Sequence, residues 1–402
     1  MIHRLLPDHL THLPAPSADA AAHSERLAAH IRKSIAHAGG WIDFAQFMDL
    51  ALHAPGLGYY SAGLHKFGGA GDFVTAPELG SLFATSLARQ AAQLLQNGAL
   101  SEIIEYGAGS GRLARDLLRA LAELDCLPQR YCILEISADL RARQKMLLDR
   151  ESPQIASRVV WLDAMPSAID ALVIANEVLD AMPVHVVRAR NDGVDEVGVV
   201  ADSDGFAWQT RTAAGALLEA AQQLPIVPGC TTEIGLAAAA FTRTLAASLK
   251  RGAAIFIDYG FPAREYYHPQ RSGGTLMCHY RHHAHADPLC LVGLQDITAH
   301  IDFSAIAGAA VAAARHLLHP PVVEPDAGGA LVLCVDLGEV GPGAHTGREH
   351  PLEHVLIDHA PSLPTPQPTD PWRWGVRRRH PSATAARVSR GCWCGGRRRS
   401  GR

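Results

Sequence analysis

The sequence feature that most constrains the fold is a glycine-rich turn between an apolar strand and an amphipathic helix. The strand begins at Ile103, the turn reads Glu105-Tyr106-Gly107-Ala108-Gly109-Ser110-Gly111, and leucines at helical spacing follow from Leu113. Glycines let the chain turn sharply and let a ligand approach the backbone, and the free N–H groups of a first helical turn favour an anionic group. The pattern predicts a ligand-binding turn, with a plain tight connection as the alternative.

Further apolar strands alternate with helical patterns along the middle of the chain. The sequence predicts strands at 131–136, 159–162, 171–175 and 253–257. Continuous apolar strands separated by helices are typical of a parallel sheet that is covered on both faces, so the predicted fold class is α/β with a doubly wound sheet. Residues 184–210 interrupt this alternation with three strands joined by turns, which predicts an antiparallel insertion.

The pattern also divides the chain into regions. Residues 1–80 are predicted to hold a loose leader, a helix that begins near Ser24, a second short helix and a glycine-rich loop. Residues 81–313 are expected to form the α/β domain, and its inserted substrate region spans about 184–230. Residues 314–402 show little periodicity and are expected to form a basic tail of low order.

Charge and cysteine usage exclude several classes of protein. Ten arginines and no acid fall in residues 371–402, which leaves 26 basic against 40 acidic residues, a net charge of −14, for residues 1–370. An acidic body argues against a nucleic-acid binder. The eight cysteines form no CxxC pair, so no metal site is predicted, and a reducing, cytoplasmic location fits better than the mitochondrial matrix. No apolar run approaches the ~18–20 residues of a spanning helix, so no membrane span is expected.

Two acids follow the next predicted strands and suggest a nucleoside ligand. Glu135 ends the second strand, where a carboxylate can accept both ribose hydroxyls, and Asp163 ends the third, where it could meet an adenine amino group. A dinucleotide fingerprint places a small residue where this turn has Arg112, and no G-x-x-x-x-G-K motif is present. The spacing therefore favours S-adenosylmethionine over a nicotinamide cofactor or a nucleoside triphosphate. Each acid taken alone is also compatible with a solvated loop residue.

The fourth predicted strand runs into Asn176-Glu177-Val178-Leu179-Asp180-Ala181-Met182-Pro183. In a doubly wound sheet, this position lies beside the reactive part of a bound cofactor. Asn176 can hold an amine or a carbonyl, and Glu177 and Asp180 can pair with a cationic acceptor. The alternative is that Asn176 and Asp180 only cap a turn that Pro183 ends.

Several sequence blocks within residues 39–313 resemble one known family. They are Gly56-Leu57-Gly58-Tyr59-Tyr60, 71–78, 105–111, Asn176-Glu177 with Asp180-Ala181, Asp258-Tyr259-Gly260, Arg271, Gly274-Thr275-Leu276, His282 and Gln295-Asp296-Ile297-Thr298. On these residues the chain resembles the MidA-like S-adenosylmethionine-dependent class I methyltransferases, the family that includes the mitochondrial complex I assembly arginine methyltransferase.

The resemblance implies a class I methyltransferase (Rossmann-like) fold with an N-terminal helical segment and an inserted substrate region. It also implies S-adenosyl-L-methionine as cofactor and in-line methyl transfer, with arginine of a partner protein as the acceptor. Glu177, Asp180 and Asn176 are the expected catalytic residues. The expected cofactor-binding residues are Glu105, Gly107, Gly109, Gly111, Glu135, Asp163, Thr75 and Pro77. The alternatives are a small-molecule methyltransferase and a non-catalytic assembly factor that retains the fold.

The sequence departs from the family after about residue 314. Only 330–335 reads as a strand there, and the arginine-rich ending resembles an alternative reading frame of GC-rich DNA. Our hypothesis is that a frameshift replaced the C-terminal strands, which would leave one edge of the sheet unpaired. The alternative is a genuine basic tail that binds RNA or anionic lipid.

Overall fold

The computed structural model describes residues 7–62, 75–202 and 205–313, together with the backbone of two short strands at 322–323 and 330–336. No helix in these segments is both long enough and apolar enough to cross a bilayer. The remaining residues, among them most of the predicted basic tail, lie outside the described part of the chain.

Helices and strands alternate along the described segments. The helices are α1 (Ala18–His37), α2 (Phe44–His53), α3 (Ala76–Leu79), α4 (Leu82–Asn97), α5 (Arg112–Glu123), α6 (Ala138–Leu148), α7 (Pro153–Ala156), α8 (Gly215–Gln222), α9 (Leu236–Ser248), α10 (Ala263–Tyr266) and α11 (Phe303–Ala313). The strands are β1 (Ile42–Asp43), β2 (Glu102–Tyr106), β3 (Arg130–Leu134), β4 (Val159–Leu162), β5 (Ile169–Asn176), β6 (His185–Arg190), β7 (Gly193–Ala201), β8 (Phe206–Thr212), β9 (Thr231–Ile234), β10 (Leu249–Phe261), β11 (Met277–Tyr280), β12 (His283–His285), β13 (Asp296–Thr298), β14 (Ile301–Asp302), β15 (Val322–Val323) and β16 (Ala330–Asp336).

The central sheet confirms the predicted α/β fold. Its strands lie in the order β15-β16-β10-β5-β2-β3-β4. The pairs β10–β5, β5–β2, β2–β3 and β3–β4 are all parallel, as continuous apolar strands indicate. Because these strands run in one direction, their carboxyl ends meet at one edge of the domain, which is where the predicted site residues lie.

Helices cover both faces of this sheet. Ile103 packs in a core with α4 and α5, whereas its neighbour Ile104 packs in a second core with α9 and α11. The same alternation places Leu172 in the first core and Val173 in the second. Successive side chains of a strand point to opposite faces, so an uninterrupted apolar strand supplies both cores.

The edge of the sheet at β10 is paired, which corrects the expectation of an unpaired edge. Strand β16 runs antiparallel to β10, with Ala330 opposite Tyr259 and Asp336 opposite Ala253. The prediction that 330–335 forms a strand is therefore confirmed. An apolar run of that length can fill the open backbone groups of β10 whatever sequence follows it. The frameshift hypothesis for the rest of the tail concerns residues outside the described part.

A second, antiparallel sheet forms the insertion and extends beyond it. Strands β6, β7 and β8 confirm the three predicted strands, and β1 and β9 complete the order β1-β7-β6-β9, with β8 paired to β7. Neither β1 nor β9 was predicted, because β1 has only two residues and β9 has a single apolar residue, Ile234, among its four. Helices α1 and α2 pack on this sheet through a common apolar core.

The prediction of a loose leader is wrong for residues 7–23. Helix α1 begins at Ala18, six residues before the predicted start, and Ser17 caps it by accepting the Ala20 N–H. Leu10 and Leu13, which precede the helix, are buried against Leu291 and Leu294. Absence of a repeating apolar pattern did not mean absence of packing, because these two leucines anchor a segment that contains only one short 3-10 turn, Asp8–Leu10.

We predict that Gly198→Ala destabilises the contact between the N-terminal segment and the insertion. A Cβ at Gly198 of β7 would lie 2.3 Å from the Ile42 carbonyl oxygen and 2.3 Å from the Trp41 ring. Relief of such overlap costs about 1–3 kcal/mol in the free energy of unfolding, measurable by urea denaturation. Gly308→Ala in α11 is the control, since no atom lies within 4 Å of that position, and it should keep or raise stability. Equal stability of the two variants would contradict the tight packing at β7.

Candidate active site at the carboxyl end of the sheet

A cavity of about 670 Å³ opens at the carboxyl ends of the central strands. Ligands of open α/β sheets bind in this crevice. Six acidic residues line it, and none of the lining residues within the described segments is Lys or Arg. The structure brings most of the predicted site residues to this cavity, namely Thr75, Pro77, Glu105, Gly107, Gly109, Glu135, Asn176, Glu177 and Asp180. Gly111 and Asp163 lie outside the lining.

The glycine turn depends on backbone conformations that favour glycine. Gly107, Gly109 and Gly111 have φ of 65°, 54° and 81°. A Cβ at Gly107 would also approach Val178 Cγ2 to 3.0 Å, so the turn can lie close to the β5 loop only with glycine. Gly111 is the N-cap of α5, so its part is to start the helix rather than to face the cavity.

Two carboxylates flank this turn. Glu105 is only 2% exposed and accepts a hydrogen bond of 2.8 Å from the Tyr131 hydroxyl. Burial raises the pKa of Glu105 to about 7; the nearby Glu135 adds to the shift, and the Tyr131 hydrogen bond opposes it. Glu135 is 8% exposed, and its two oxygens accept the Ser137 N–H at 2.9 Å and the Gln144 side-chain amide at 3.0 Å. A glycine cradle beside oriented carboxylates fits the hydroxyl and amino groups of a nucleoside cofactor.

Asp163 does not join this group. Its side chain is 90% exposed and forms an ion pair of 2.8 Å with Arg141. The sequence correctly places Asp163 directly after β4, but the loop carries the carboxylate away from the cavity. The structure therefore gives no support to a contact between Asp163 and an adenine ring.

Four acidic side chains converge where β5 and β10 end: Glu177, Asp180, Asp258 and Asp296. Burial, followed by the charges of Asp258 and Asp296, raises the pKa of Glu177 from 4.5 to about 8, and hydrogen bonds from Ala76 and Asn176 oppose this shift. Burial, followed by the charge of Asp258, also raises the pKa of Asp180 well above its usual range. Carboxyl groups held this way favour the neutral form until a cation arrives.

Asp258 supports the turn that carries the other acids. Its Oδ2 accepts the N–H groups of Leu179 and Asp180 at 2.9 and 3.2 Å, and its Oδ1 accepts the N–H of Tyr259 at 2.8 Å. These hydrogen bonds oppose the effect of burial, which still raises the pKa of Asp258 to about 7. Asp258 thus stabilises the turn below the cavity and is not part of the cavity lining.

Glu177 has a strained backbone. Its φ is 50°, a conformation uncommon for any residue other than glycine, and its N–H donates to the Ile257 carbonyl at 2.8 Å. Strain of this kind persists where surrounding structure holds the residue, and it clusters at functional sites. The strain therefore lies at Glu177, the same residue that the sequence predicts to be catalytic.

Three further cavity residues were not predicted from the sequence. The Tyr60 hydroxyl donates to Asp296 at 2.8 Å, and the His53 ring stacks on the Tyr60 ring with centroids 5.6 Å apart. Burial lowers the pKa of His53, which is therefore neutral at pH 7, although Asp49 opposes the shift. The only available signal was that Tyr60 and Asp296 lie in blocks shared with the family; His53, at the end of α2, gave none.

Arg112, which does not fit a dinucleotide fingerprint, holds α3 against the glycine turn. Arg112 donates to the Glu78 carbonyl at 3.0 Å and lies 3.3 Å from its carboxylate, and the Ser110 hydroxyl donates to the same carboxylate. This network ties α3, with Pro77 and Glu78, to the glycine turn. A bulky arginine is thus needed at a position where a dinucleotide site requires a small residue.

Within the described segments, one set of residues could hold a metal ion, and it lies away from the cavity. Asp43, His185 and Glu196 bring ligand atoms within 4.8 Å of one another. Ordinary contacts account for them, since Asp43 caps α2 and His185 pairs with Glu196 at 2.9 Å. The segment 278–285 contains four histidines, and two of them, His279 and His282, instead line the cavity, on the wall formed by β11 and its turn.

Comparison with known proteins points to one class of enzyme. A family model described as "Putative S-adenosyl-L-methionine-dependent methyltransferase" matches residues 86–320. A Burkholderia thailandensis protein crystallised with S-adenosyl-homocysteine is 50% identical, with a TM-score of 0.74 over 77% of this chain and 82% of that chain.

Curated relatives carry a more specific name. "Protein arginine methyltransferase NDUFAF7, mitochondrial" of Mus musculus is 28% identical over 66% of this chain and 65% of its own length. Its Caenorhabditis elegans homolog is 25% identical over 68% of this chain and 70% of its own length. The matched region therefore spans about two thirds of these relatives.

The family match covers the glycine turn, Glu135 and the acidic residues at the ends of β5 and β10. The resemblance stated from sequence is thereby confirmed, as is the cofactor, S-adenosyl-L-methionine. The chain belongs to the family of S-adenosyl-L-methionine-dependent methyltransferases that this model describes.

Proposed function

We propose that the protein transfers the methyl group of S-adenosyl-L-methionine to an arginine side chain of a partner protein. One observation carries the proposal: carboxyl groups gather at the ends of β5 and β10, and no Lys or Arg of the described chain lines the cavity beside them. The names of the relatives from mouse and nematode support arginine as the acceptor.

The charge balance of the cavity favours a cationic acceptor. Burying several carboxylates without a counter-ion is costly, so they keep their protons or recruit a positive charge. A guanidinium has a pKa above ~12 and enters as a cation, and a carboxylate can hold it through two parallel hydrogen bonds. Glu177 lines the cavity and is the first candidate for this contact, and Asp180 is the second.

The cofactor would lie across the glycine turn. Its role when bound is to supply an electrophilic methyl group carried on a sulfonium. Glu135 would accept hydrogen bonds from the ribose hydroxyls, and the turn at Gly107–Gly109 would contact the amino-acid end. Thr75 and Pro77 would cover the site and limit access of water. Asn176, between the two halves, would orient either the cofactor or the acceptor.

Residues of the chain would position the acceptor and take up its proton. Methyl transfer would form an N–CH₃ bond and break the S–CH₃ bond, which leaves a neutral thioether, and one guanidinium N–H proton would have to leave. The Glu177 carboxyl, once ionised beside the cation, could hold the guanidinium, receive that proton and pass it to solvent. Positioning supplies most of the remaining acceleration, since the displacement requires no covalent help from the protein.

Labelled methyl transfer into a lysate of the source organism tests the proposed acceptor. Tritiated cofactor should give label in the protein fraction, and acid hydrolysis should return it as methylated arginine. Label in small molecules or in another amino acid would overturn arginine as the acceptor. Complete absence of label, with cofactor binding intact, would favour the non-catalytic alternative.

We predict that Glu135→Gln weakens binding of S-adenosyl-homocysteine by about 10–100-fold, since hydrogen bonds to a charged acceptor contribute ~1.5–3 kcal/mol. Asp163→Asn is the matched control, because its carboxylate is exposed and outside the cavity. It should bind within about threefold of the wild type in calorimetric titration. The reverse ranking of the two variants would refute the placement of the ribose.

Glu177→Gln should reduce the rate of methyl transfer by about 100-fold or more while cofactor affinity stays within about threefold. The variant removes a charge that holds the acceptor but leaves the glycine turn and Glu135 unchanged. Glu123→Gln, at an exposed position that ends α5, is the control and should keep wild-type activity. Wild-type turnover by Glu177→Gln would remove the catalytic assignment.

The same variant should be more stable than the wild type at alkaline pH. The folded-state pKa of Glu177 is raised from 4.5 to about 8, so ionisation of the unfolded chain lowers stability as pH rises from about 4.5 to 8. Glutamine lacks this penalty. Its advantage should be near zero at pH 4.5 and reach on the order of 2–4 kcal/mol at pH 8, measured by denaturant unfolding. An advantage that does not change with pH would contradict the raised pKa.

A further inference from the structure

We propose that Gln144 is a positioning residue of the cofactor site, which fixes the Glu135 carboxylate relative to the glycine turn. The proposal rests on the cofactor role given above to Glu135. Gln144 lies in the middle of α6, is fully buried and does not line the cavity. It therefore acts on the cofactor only through residues that do.

The side-chain amide of Gln144 joins two loops and one strand. Its Nε2 donates to the Gly109 carbonyl at 3.0 Å and to Glu135 Oε2 at 3.0 Å. Its Oε1 accepts the Trp161 indole N–H at 3.0 Å. Gly109 follows β2, Glu135 follows β3 and Trp161 belongs to β4, so one amide links the ends of three adjacent strands.

Trp161 fixes the orientation of this amide. An indole N–H can only donate, so the atom that it meets must be the amide oxygen. The NH₂ group is then directed at two acceptors, the Gly109 carbonyl and the Glu135 carboxylate. This requires two donors and one acceptor on a single planar group, which glutamine supplies at this length. An ionised glutamate has no donor, and leucine has neither donor nor acceptor.

The packing around Gln144 explains why the glycine motif includes Gly111, a predicted cofactor-binding residue that does not line the cavity. A Cβ at Gly111 would lie 3.2 Å from Gln144 Cγ, tighter than an ordinary contact. Gly111 thus leaves room for α6 to approach the turn. Gly111 would therefore serve the cofactor indirectly, because it makes room for Gln144, which holds the Glu135 carboxylate in place.

Calorimetric titration with S-adenosyl-homocysteine at pH 8 and pH 6 tests the proposal. Gln144→Glu places a second carboxylate beside Glu135, so affinity should fall by about 10–100-fold at pH 8. At pH 6 the close pair should share a proton, the protonated oxygen can donate as the amide did, and most of the affinity should return. Gln144→Leu should lose about tenfold at both pH values. Gln96→Leu, at an exposed position in α4, should bind as the wild type does.

The recovery at low pH separates positioning from folding, because a merely misfolded variant does not regain affinity when one carboxyl is protonated. Trp161→Phe offers a milder second variant that removes only the donor to Gln144, and it should weaken binding about threefold. Loss in Gln144→Glu that is equal at both pH values, or wild-type affinity at pH 8, overturns the positioning role. Wild-type binding by Glu135→Gln would instead overturn the cofactor role on which the proposal rests.

Discussion

The burial of carboxyl groups at the ends of β5 and β10 is the constraint on which the rest of the site depends. Glu177 and Asp180 lie in a turn that Asp258 supports from below, and Tyr60 orients Asp296 from the opposite wall. These contacts hold acids together at the expense of stability, as active sites commonly do. A cation would compensate the charge of these buried carboxylates, and an acceptor with a permanent positive charge would supply that cation.

The proposed site combines a cofactor half and an acceptor half, which differ in physical character. The cofactor half is held by hydrogen bonds of fixed geometry, in which the amide of Gln144 links the glycine turn to Glu135. The proposed acceptor half consists of buried carboxyl groups whose pKa values are raised, and a bound cation would lower those pKa values. Asn176, at the end of β5, hydrogen-bonds Glu177 and lines the same cavity. One half provides shape for a nucleoside, and the other provides attraction for a cationic side chain.

The sequence predicted the central sheet and the acids that follow its strands, because apolar strands and strand-end residues are local patterns. It could not place Tyr60 beside Asp296, since these residues are 236 positions apart and meet only in the folded chain. Gln144 lies within a helix and carries no pattern of its own. Asp163 shows the opposite limit: its place after a strand was predicted, but the direction of its loop was not. The strand at 330–335 was also predicted, but its pairing with β10, which closes that edge of the sheet, was not.

The titration of the Glu177 carboxyl carbon by ¹³C NMR, with the Glu177→Gln variant to assign the signal, tests the central claim most directly. In the absence of a cation the midpoint should lie near pH 8, as burial among other acids requires. Addition of methylguanidinium should lower the midpoint, because the bound cation favours the ionised carboxylate. A midpoint near the ordinary value of 4.5, unchanged by methylguanidinium, would contradict a buried acidic site that awaits a positive charge.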